Sequence, residues 1–327
     1  MIKVSVLVAV YNGERFINKC LDSLKRQTYN NLEIVCINDG STDSTPAIIK
    51  KRMQNDNRIK LIEHYPNLGL AVTLNEGLMY CTGDVIAYLD SDDWFDDDSI
   101  EKLVRIFETN EDADCVLLNC VYVYFNGKQE AYKGLKFESL DGRTAFVESL
   151  TWNIHGIYAA RSELYKKVQF DASCKHFSND NTTRIHYLMS RRVYSSDANY
   201  YYLRNSNSIT NQISIRRMDY MGATKSMKKQ LLDLNCPTEI IRLYENERWK
   251  IVVDSYLFYF RNRFKLSKSE QKYCLKELKN GFKDIDIGLI NSSLSRKLGF
   301  CPVKHYWILF RIEEEIYFIL KWIFKRL

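Results

Sequence analysis

The residues best suited to chemistry are the acidic side chains between positions 84 and 93. Four of them fall in this stretch, and Asp90, Asp92 and Asp93 directly follow an apolar run typical of a buried strand. Carboxylates this close repel one another in a partly dry site, and an oxygen-preferring cation, Mg²⁺ or Mn²⁺, removes that repulsion. Such a cation would also attract phosphate oxygens. The alternative is a solvated acidic loop that caps the next helix, a role that suits Asp96, Asp97 and Asp98.

The loops after two other apolar runs carry residues that suit a nucleotide. Tyr11 follows the run at 4–10 and could stack on a base, while Asp39 follows the run at 32–37 and could accept a hydrogen bond from a base N–H. The chain contains neither a G-x-G-x-x-G nor a Walker A sequence, so the phosphates are expected on the metal rather than in a glycine-rich loop. The alternatives are a turn tyrosine and an aspartate that closes a local Asx-turn.

Alternating strand and helix patterns predict that these loops meet at one edge of a sheet. Apolar runs typical of buried strands fall at 4–10, 32–37, 59–62 and 85–89. Segments with helical periodicity separate them, an order that predicts βαβ units and an α/β fold with a mostly parallel, Rossmann-like sheet flanked by helices. Because ligands of such sheets bind at the carboxyl ends of the strands, Tyr11, Asp39 and Asp90 are expected to converge.

Four segments of the first hundred residues resemble the family 2 glycosyltransferases, which have the GT-A fold. They are VLVAVYN at 6–12, INDGSTD at 37–43, NLGLA at 67–71 and YLDSDD at 88–93. Their order and spacing match the family, and weaker similarity continues to about residue 210. The resemblance implies transfer of a sugar from a nucleotide-diphosphate donor, expected to be a UDP-sugar, with inversion at the anomeric carbon. The chain has Leu74 where the family often has an arginine near the nucleotide.

The resemblance also implies roles for individual residues. Asp92 would ligate the metal, and Asp90 would contact the ribose or join the metal ligands. The nucleotide-binding residues implied by the match are Ala9, Tyr11, Glu14, Asp39, Asp90 and Ser91.

A second set of implied residues lies further along the chain. Asp180, in Ser-Asn-Asp-Asn at 178–181, matches the family's catalytic base, although Asn179 replaces the usual acidic neighbour. The alternative is that Asp180 caps a helix at 182–190. Arg204, with the Ser-Ile-Thr that follows at 208–210, resembles a family segment near the phosphates, and its alternative is a surface strand residue.

The pattern divides the chain into a catalytic domain at 1–213 and a helical region at 214–327. Within the first, 1–110 is the expected nucleotide-binding half and 111–213 the acceptor-binding half. In the C-terminal segment 303–327, isoleucines share one helical face, while Arg311 and the acidic run at 313–315 argue against a membrane span. We expect a helix that contacts a membrane surface, or alternatively one that packs on protein.

Composition limits the expected binding partners and the expected cellular compartment. The net charge of +6 comes without zinc-ligand spacing or a basic helix pattern, so nucleic acid is not an expected partner. Nine cysteines without a Cys-x-x-Cys pair indicate a reducing compartment, and no signal sequence is evident. We expect a cytoplasmic enzyme, peripheral on the inner membrane, whose acceptor is a glycan or a lipid-linked glycan of cell-surface polysaccharide. The alternative functions are a nucleotide-binding scaffold with a degenerate site and a nucleotidyltransferase.

Overall fold

A computed structural model describes residues 1–204, 214–302 and 306–324 of the chain. The chain forms two compact units, which are described separately. The first comprises residues 1–172 and 182–211, and the second comprises residues 173–181 and 212–327. The expected domain boundary after residue 213 falls at the end of the undescribed stretch 205–213. Ser208, Ile209 and Thr210, which carry part of the resemblance, lie within that stretch and so outside the described residues.

The first unit is built on a mixed sheet, which has ten strands in the described part of the chain. The strands are β1 (Val4–Val10), β2 (Leu32–Asn38), β3 (Ile59–Glu63), β4 (Val85–Tyr88), β5 (Trp94–Phe95), β6 (Ala113–Tyr124), β7 (Gln129–Ala131), β8 (Ser139–Asp141), β9 (Tyr158–Arg161) and β10 (Arg192–Arg204). Their order is β3-β2-β1-β4-β9-β6-β10-β5, with β7 paired to β6 and β8 paired to β10. The expected α/β fold is confirmed.

Helices cover both faces of this sheet. They are α1 (Ile17–Lys25), α2 (Thr45–Met53), α3 (Leu70–Leu78), α4 (Ser99–Thr109), α5 (Gly142–Leu150), α6 (Ser162–Lys167) and α7 (Asn179–Met189), the last of which begins in the segment assigned to the second unit. Every residue of β1 and β2 is buried, as expected for strands covered on both faces. Val6 and Val8 pack on one side of the sheet and Leu7 on the other.

Strand direction brings the candidate residues to one edge of the sheet. β1 is parallel to both β2 and β4. β9 is antiparallel to β4 and to β6, and β10 is parallel to β6, so β6 and β10 run in the same direction as β1. The carboxyl ends of these five strands therefore lie at the same edge. The loops that begin at Tyr11, Asp39 and Asp90 and the end of β10 at Arg204 belong to this edge.

The second unit is helical around an aromatic core. Its helices are α8 (Asp219–Asp233), α9 (Thr238–Asn262), α10 (Lys268–Lys283), α11 (Ser292–Ser295) and α12 (Trp307–Ile323). The ring of Phe310 in α12 lies 4.7 Å from that of Phe282 and 5.2 Å from that of Trp249. Among the described helices, none combines the length and the apolar character needed to cross a membrane.

Candidate active site

The acidic loop after β4 is held by tyrosine hydroxyls. Tyr88 donates a hydrogen bond to Oδ1 of Asp90, and the backbone N–H of Asp90 donates to the hydroxyl of Tyr200 at 3.2 Å. Burial raises the pKa of Asp90 to about 6, and the charge of Asp92 adds to the shift. The loop is therefore fixed by groups on β4 and β10, two strands that are distant in sequence.

Asp93 is the most deeply buried carboxylate of the loop. Only 1% of it is exposed, and it accepts hydrogen bonds from the Tyr200 hydroxyl at 2.6 Å and from the Leu203 N–H at 2.7 Å. Burial and the charges of Asp90 and Asp92 raise the pKa of Asp93 well above its ordinary value. Asp93 thus ties the acidic loop to β10. Sequence reasoning missed this role, although the three consecutive tyrosines at 200–202 were a usable signal.

Asp92 differs from its neighbours because its carboxylate accepts no side-chain hydrogen bond from a described residue, while burial raises its pKa. Within the described ranges, no group of three or more His, Cys, Asp or Glu side chains is arranged to hold a metal ion by itself. Mg²⁺ and similar cations are commonly held by one or two carboxylates together with phosphate oxygens and water. A half-buried carboxylate without a side-chain donor among the described residues, beside two further carboxylates, fits such a cation.

The carboxylate of Asp39 anchors the loop that follows β3. Its Oδ1 accepts from the Leu68 N–H at 2.8 Å and lies 2.9 Å from Nδ1 of His64, and its Oδ2 accepts from the Gly69 N–H at 2.9 Å. Burial alone would raise the pKa of Asp39, but these hydrogen bonds outweigh it and the pKa lies below its ordinary value. Gly40 makes this approach possible, since it has φ +71° and an added Cβ would lie 2.8 Å from the Asn67 nitrogen.

The loop after β1 contacts both neighbouring loops. The Gly13 N–H donates to the Thr45 hydroxyl at 2.9 Å, and the side chain of Glu14 accepts from the Ser44 N–H at 3.0 Å. A Cβ added at Gly13 would lie 3.6 Å from Oγ of the half-buried Ser91. The structure therefore brings together residues 11–14, 41–45 and 90–93. Ala9 is buried at the end of β1, whereas the Tyr11 ring is 53% exposed beside these loops.

Arg204 lies at the end of β10 against aromatic rings. Its guanidinium carbon is 4.1 Å from the ring centroid of Tyr122 and 5.7 Å from that of Tyr202, and Nε is buried without a hydrogen-bond partner among the described residues. Burial, followed by the charges of Asp90, Asp93 and Asp92, raises the pKa of Tyr202 to about 12. Arg204 thus lies on the same side of β10 as Tyr202, whose pKa is raised in part by the charges of the acidic loop.

Asp180 lies in the first turn of α7, which begins at Asn179, so it does not occupy the capping position before the helix. Residues 179–181 belong to the second unit, where the Asn181 side chain donates to the Ala223 carbonyl at 2.8 Å. The site residues of β1, β2, β4 and β10 all belong to the first unit.

A separate cavity of about 860 Å³ lies in the first unit, between β6, β10 and the segment after β7. The ring of Tyr132 meets His155 edge-on at 4.9 Å, and the Tyr132 ring also lies 6.1 Å from Tyr122. Burial lowers the pKa of His155 to about 4, so its ring is neutral. The other polar side chains that line the cavity are Asn119, Glu130, Lys133, Lys136, Asn153, Ser195 and Ser196.

An α/β sheet with an acidic loop and two further polar loops at the same edge is the arrangement of a GT-A type of protein. The chain belongs to glycosyl transferase family 2, whose family model matches residues 5–177. The resemblance seen in the sequence motifs is thereby confirmed.

Two curated relatives each match about a third of the chain. A putative glycosyltransferase, EpsH of Bacillus subtilis (strain 168), is 44% identical over 116 residues, which cover 36% of this chain and 33% of EpsH. A chondroitin synthase of Pasteurella multocida (strain Pm70) is 35% identical over 113 residues, or 35% of this chain and 12% of the synthase. The chain thus spans a third or less of these two relatives.

Solved structures extend the likeness in fold to most of the chain. Residues 1–349 of S. aureus TarS superpose with a TM-score of 0.74 and 20% identity, covering 96% of this chain and 91% of that one. TarS has also been solved in complex with UDP and with UDP-GlcNAc. A mannosyltransferase from Pyrobaculum calidifontis, solved with GDP-Man and Mn²⁺, matches with a TM-score of 0.55, 18% identity and 86% coverage of both chains.

Proposed function

We propose that this protein transfers a sugar from a nucleotide-diphosphate donor to a hydroxyl of a glycan or lipid-linked acceptor, with inversion at the anomeric carbon. The observation that carries the proposal is the placement of Asp90, Asp92 and Asp93 at the same sheet edge as Tyr11 and Asp39. UDP and UDP-GlcNAc complexes of TarS support a UDP-sugar as the donor. The chondroitin synthase relative supports a role in polysaccharide synthesis.

For the nucleoside, the exposed ring of Tyr11 stacks on the base above Ala9. Oδ2 of Asp39 accepts a hydrogen bond from the Gly69 N–H, and a second lone pair of the carboxylate accepts a base N–H. Glu14 and Ser91 complete the nucleotide-binding set: Glu14 fixes the loop after β2, and Ser91 lies beside Gly13. Arg204, at the end of β10, contacts the phosphates.

Mn²⁺ or Mg²⁺ would be held by Asp92 with Asp90. When bound, the cation neutralises the charge that builds on the departing diphosphate. The Mn²⁺ complex of the Pyrobaculum calidifontis mannosyltransferase supports this choice. Asp93 is not assigned to the cation, because it is only 1% exposed and its carboxylate ties the loop to Tyr200 and Leu203.

Asp180 is the general base of the reaction. It takes the proton from the acceptor hydroxyl as that oxygen attacks the anomeric carbon opposite the departing diphosphate. Holding donor and acceptor in that orientation supplies a further share of the rate. Asp180→Asn should lower transfer by about 10²-fold or more and leave donor binding nearly unchanged.

The acceptor sugar binds in the cavity lined by Tyr132 and His155, within the half at 111–213. Sugar sites in proteins combine aromatic surface with a few convergent polar groups, which this cavity offers. Segment 303–327 contacts a membrane surface and brings the enzyme to a lipid-linked acceptor on the cytoplasmic face of the membrane. The alternative function, a nucleotide-binding scaffold with a degenerate site, would retain binding without turnover.

Release of free nucleotide from a panel of nucleotide sugars, with and without Mn²⁺, tests the proposed activity. We expect Mn²⁺-dependent hydrolysis of one UDP-sugar and a loss of more than about tenfold in Asp92→Asn. Asp97→Asn is the matched control, because Asp97 belongs to the same acidic run but forms only an exposed ion pair with Arg26 at 3.0 Å. Nucleotide binding without any turnover would favour the scaffold instead.

A further inference from the structure

The outward side of α12 is apolar along its whole length. At about 100° per residue, its exposed aliphatic side chains fall within an arc of about 120° that contains no charged residue. These side chains are Ile308, Leu309, Ile312, Ile316, Ile319, Leu320 and Ile323. Trp322 is also exposed and lies about 40° outside the arc. A surface helix of a globular protein normally presents polar residues there.

The opposite side of α12 is already used for packing within the second unit. Phe310, Glu314 and Phe318 are buried there, and the Phe318 ring lies 5.4 Å from that of Phe260 in α9. The outward apolar side is therefore a second contact surface, additional to the one that packs the helix in place. Contiguous exposed apolar surface of this kind marks a site of interaction.

A basic turn between α9 and α10 lies against one flank of this surface. Nη1 of Arg263 donates to both carboxylate oxygens of Glu315 in α12, at 2.7 Å to Oε1 and 2.6 Å to Oε2. The neighbouring Phe264 is 89% exposed. From 261 to 268 the turn carries four basic residues and no acidic one. Three of them, Arg261, Lys265 and Lys268, are exposed and form no ion pair with any carboxylate in the described ranges.

We propose that the outward side of α12 and the turn at 261–268 form one docking face for an anionic lipid bilayer. Aliphatic and aromatic side chains enter the boundary of the acyl chains, while the lysines and arginine meet the acidic head groups. The proposal deepens the membrane contact proposed for 303–327 by adding a second segment and a lipid preference. It rests on that part of the proposed function and not on the donor chemistry.

Charge favours a bilayer over a second copy of the chain as the occupant. A second copy would bring the same three unpaired cations to the interface, where each would need a carboxylate of that copy as its partner. An anionic head-group layer has the complementary charge. Since the attraction of exposed charges is screened over about 10 Å at 0.1 M salt, binding should weaken as salt is raised.

Vesicle flotation of the full chain tests the proposal, with phosphatidylcholine vesicles compared with phosphatidylcholine vesicles that contain phosphatidylglycerol. We expect binding to the anionic vesicles only, and a loss of about tenfold in affinity for Ile312→Ser and for Phe264→Ser. Leu232→Ser is the matched control, because Leu232 on α8 is 53% exposed and Ile312 is 52% exposed. Its affinity should remain that of the unchanged protein.

The contribution of charge is tested separately with Lys265→Gln, which should lose about fivefold in affinity for the anionic vesicles. Lys272→Gln, at an exposed position of α10, is the control and should keep the affinity of the unchanged protein. Equal binding to neutral and anionic vesicles, or no binding to either, would overturn the proposal. So would a dimer in sedimentation that Ile312→Ser converts to a monomer, because a second copy would then cover the face. Nucleotide release should be unchanged in all these variants, so a failure of lipid binding remains distinct from a failure of the donor chemistry.

Discussion

The hydroxyl of Tyr200 donates a 2.6 Å hydrogen bond to Oδ2 of Asp93, and both residues are buried. The same hydroxyl accepts from the Asp90 N–H at 3.2 Å, so one side chain of β10 fixes both ends of the acidic loop. Asp92, between these ends, is thereby positioned without using its own carboxylate. The side chain proposed to bind the cation is thus held by its neighbours.

Removal of the Tyr200 hydroxyl should loosen the acidic loop. In Tyr200→Phe, Asp93 keeps only the Leu203 N–H as a donor, and a buried acceptor left without its partner costs about 1–3 kcal/mol of unfolding free energy. Urea denaturation measures that loss. Tyr80→Phe, at a 45% exposed ring, is the control and should change little. Equal stabilities of the two variants would show that the bond does not hold the loop.

Gly40→Ala should weaken donor binding more than an ordinary glycine substitution does. An added Cβ would lie 2.8 Å from the Asn67 nitrogen and would push away the loop that Asp39 anchors. Gly127→Ala is the matched control, since Gly127 also has a positive φ, +82°, but a Cβ there meets open space. We expect about 1 kcal/mol or more of destabilisation from the backbone conformation in both variants. A raised KM for the UDP-sugar in Gly40→Ala alone would confirm the role of the close approach, and equal KM values would contradict it.

The free energy of unfolding should fall in mild acid, because His186 is held neutral in the folded protein. Nε2 of His186 lies 2.8 Å from the Val168 carbonyl, which can only accept, so Nε2 carries the proton and Nδ1 accepts from the Tyr158 hydroxyl at 2.7 Å. Burial lowers the pKa of His186 to about 4. Because the folded pKa lies below the unfolded value, stability is lost as the pH falls from about 6.5 towards 4.

The measurement for His186 is the unfolding free energy at pH 7 and pH 5, compared with His186→Gln. The unchanged protein should lose more stability between the two pH values than the variant does. The reason is that His186 gains a proton on unfolding, whereas a glutamine at the same position cannot. Comparing the two proteins cancels the titration of all other groups. Identical pH dependence would exclude a neutral His186 in the folded state.

Glu314→Gln should stabilise the protein at neutral pH. Burial, followed by the charge of Glu313, raises the pKa of Glu314 to about 9, and neither carboxyl oxygen has a hydrogen-bond partner among the described residues. A carboxyl whose folded pKa exceeds the unfolded value loses stability as the pH rises from about 4.5 towards 9. We expect a gain on the order of 2 kcal/mol at pH 7 that vanishes near pH 4. Urea denaturation at the two pH values measures it, and a gain independent of pH would contradict the prediction.

The sequence by itself determined the parallel half of the sheet and the loops at its carboxyl edge. The strands predicted at 4–10 and 32–37 are β1 and, with one residue more, β2, because strands buried on both faces require unbroken apolar runs. The turn and acidic residues that follow them are local signals as well. This information lies within a few residues of each position, so the family motifs and the candidate loops could be predicted without knowledge of the packing.

Only the tertiary structure decided which groups hold those loops. The insertion of antiparallel β9 between β4 and β6, the pairing of β10 with β6 from Arg192 onwards, and the hydrogen bond from Tyr200 to Asp93 all join residues far apart in sequence. The polar residues at 195–197 give no apolar pattern from which a strand could be predicted. They belong to β10 because this part of the chain pairs with β6. Hydrogen bonds between distant strands depend on register, which only the packing of the whole unit sets.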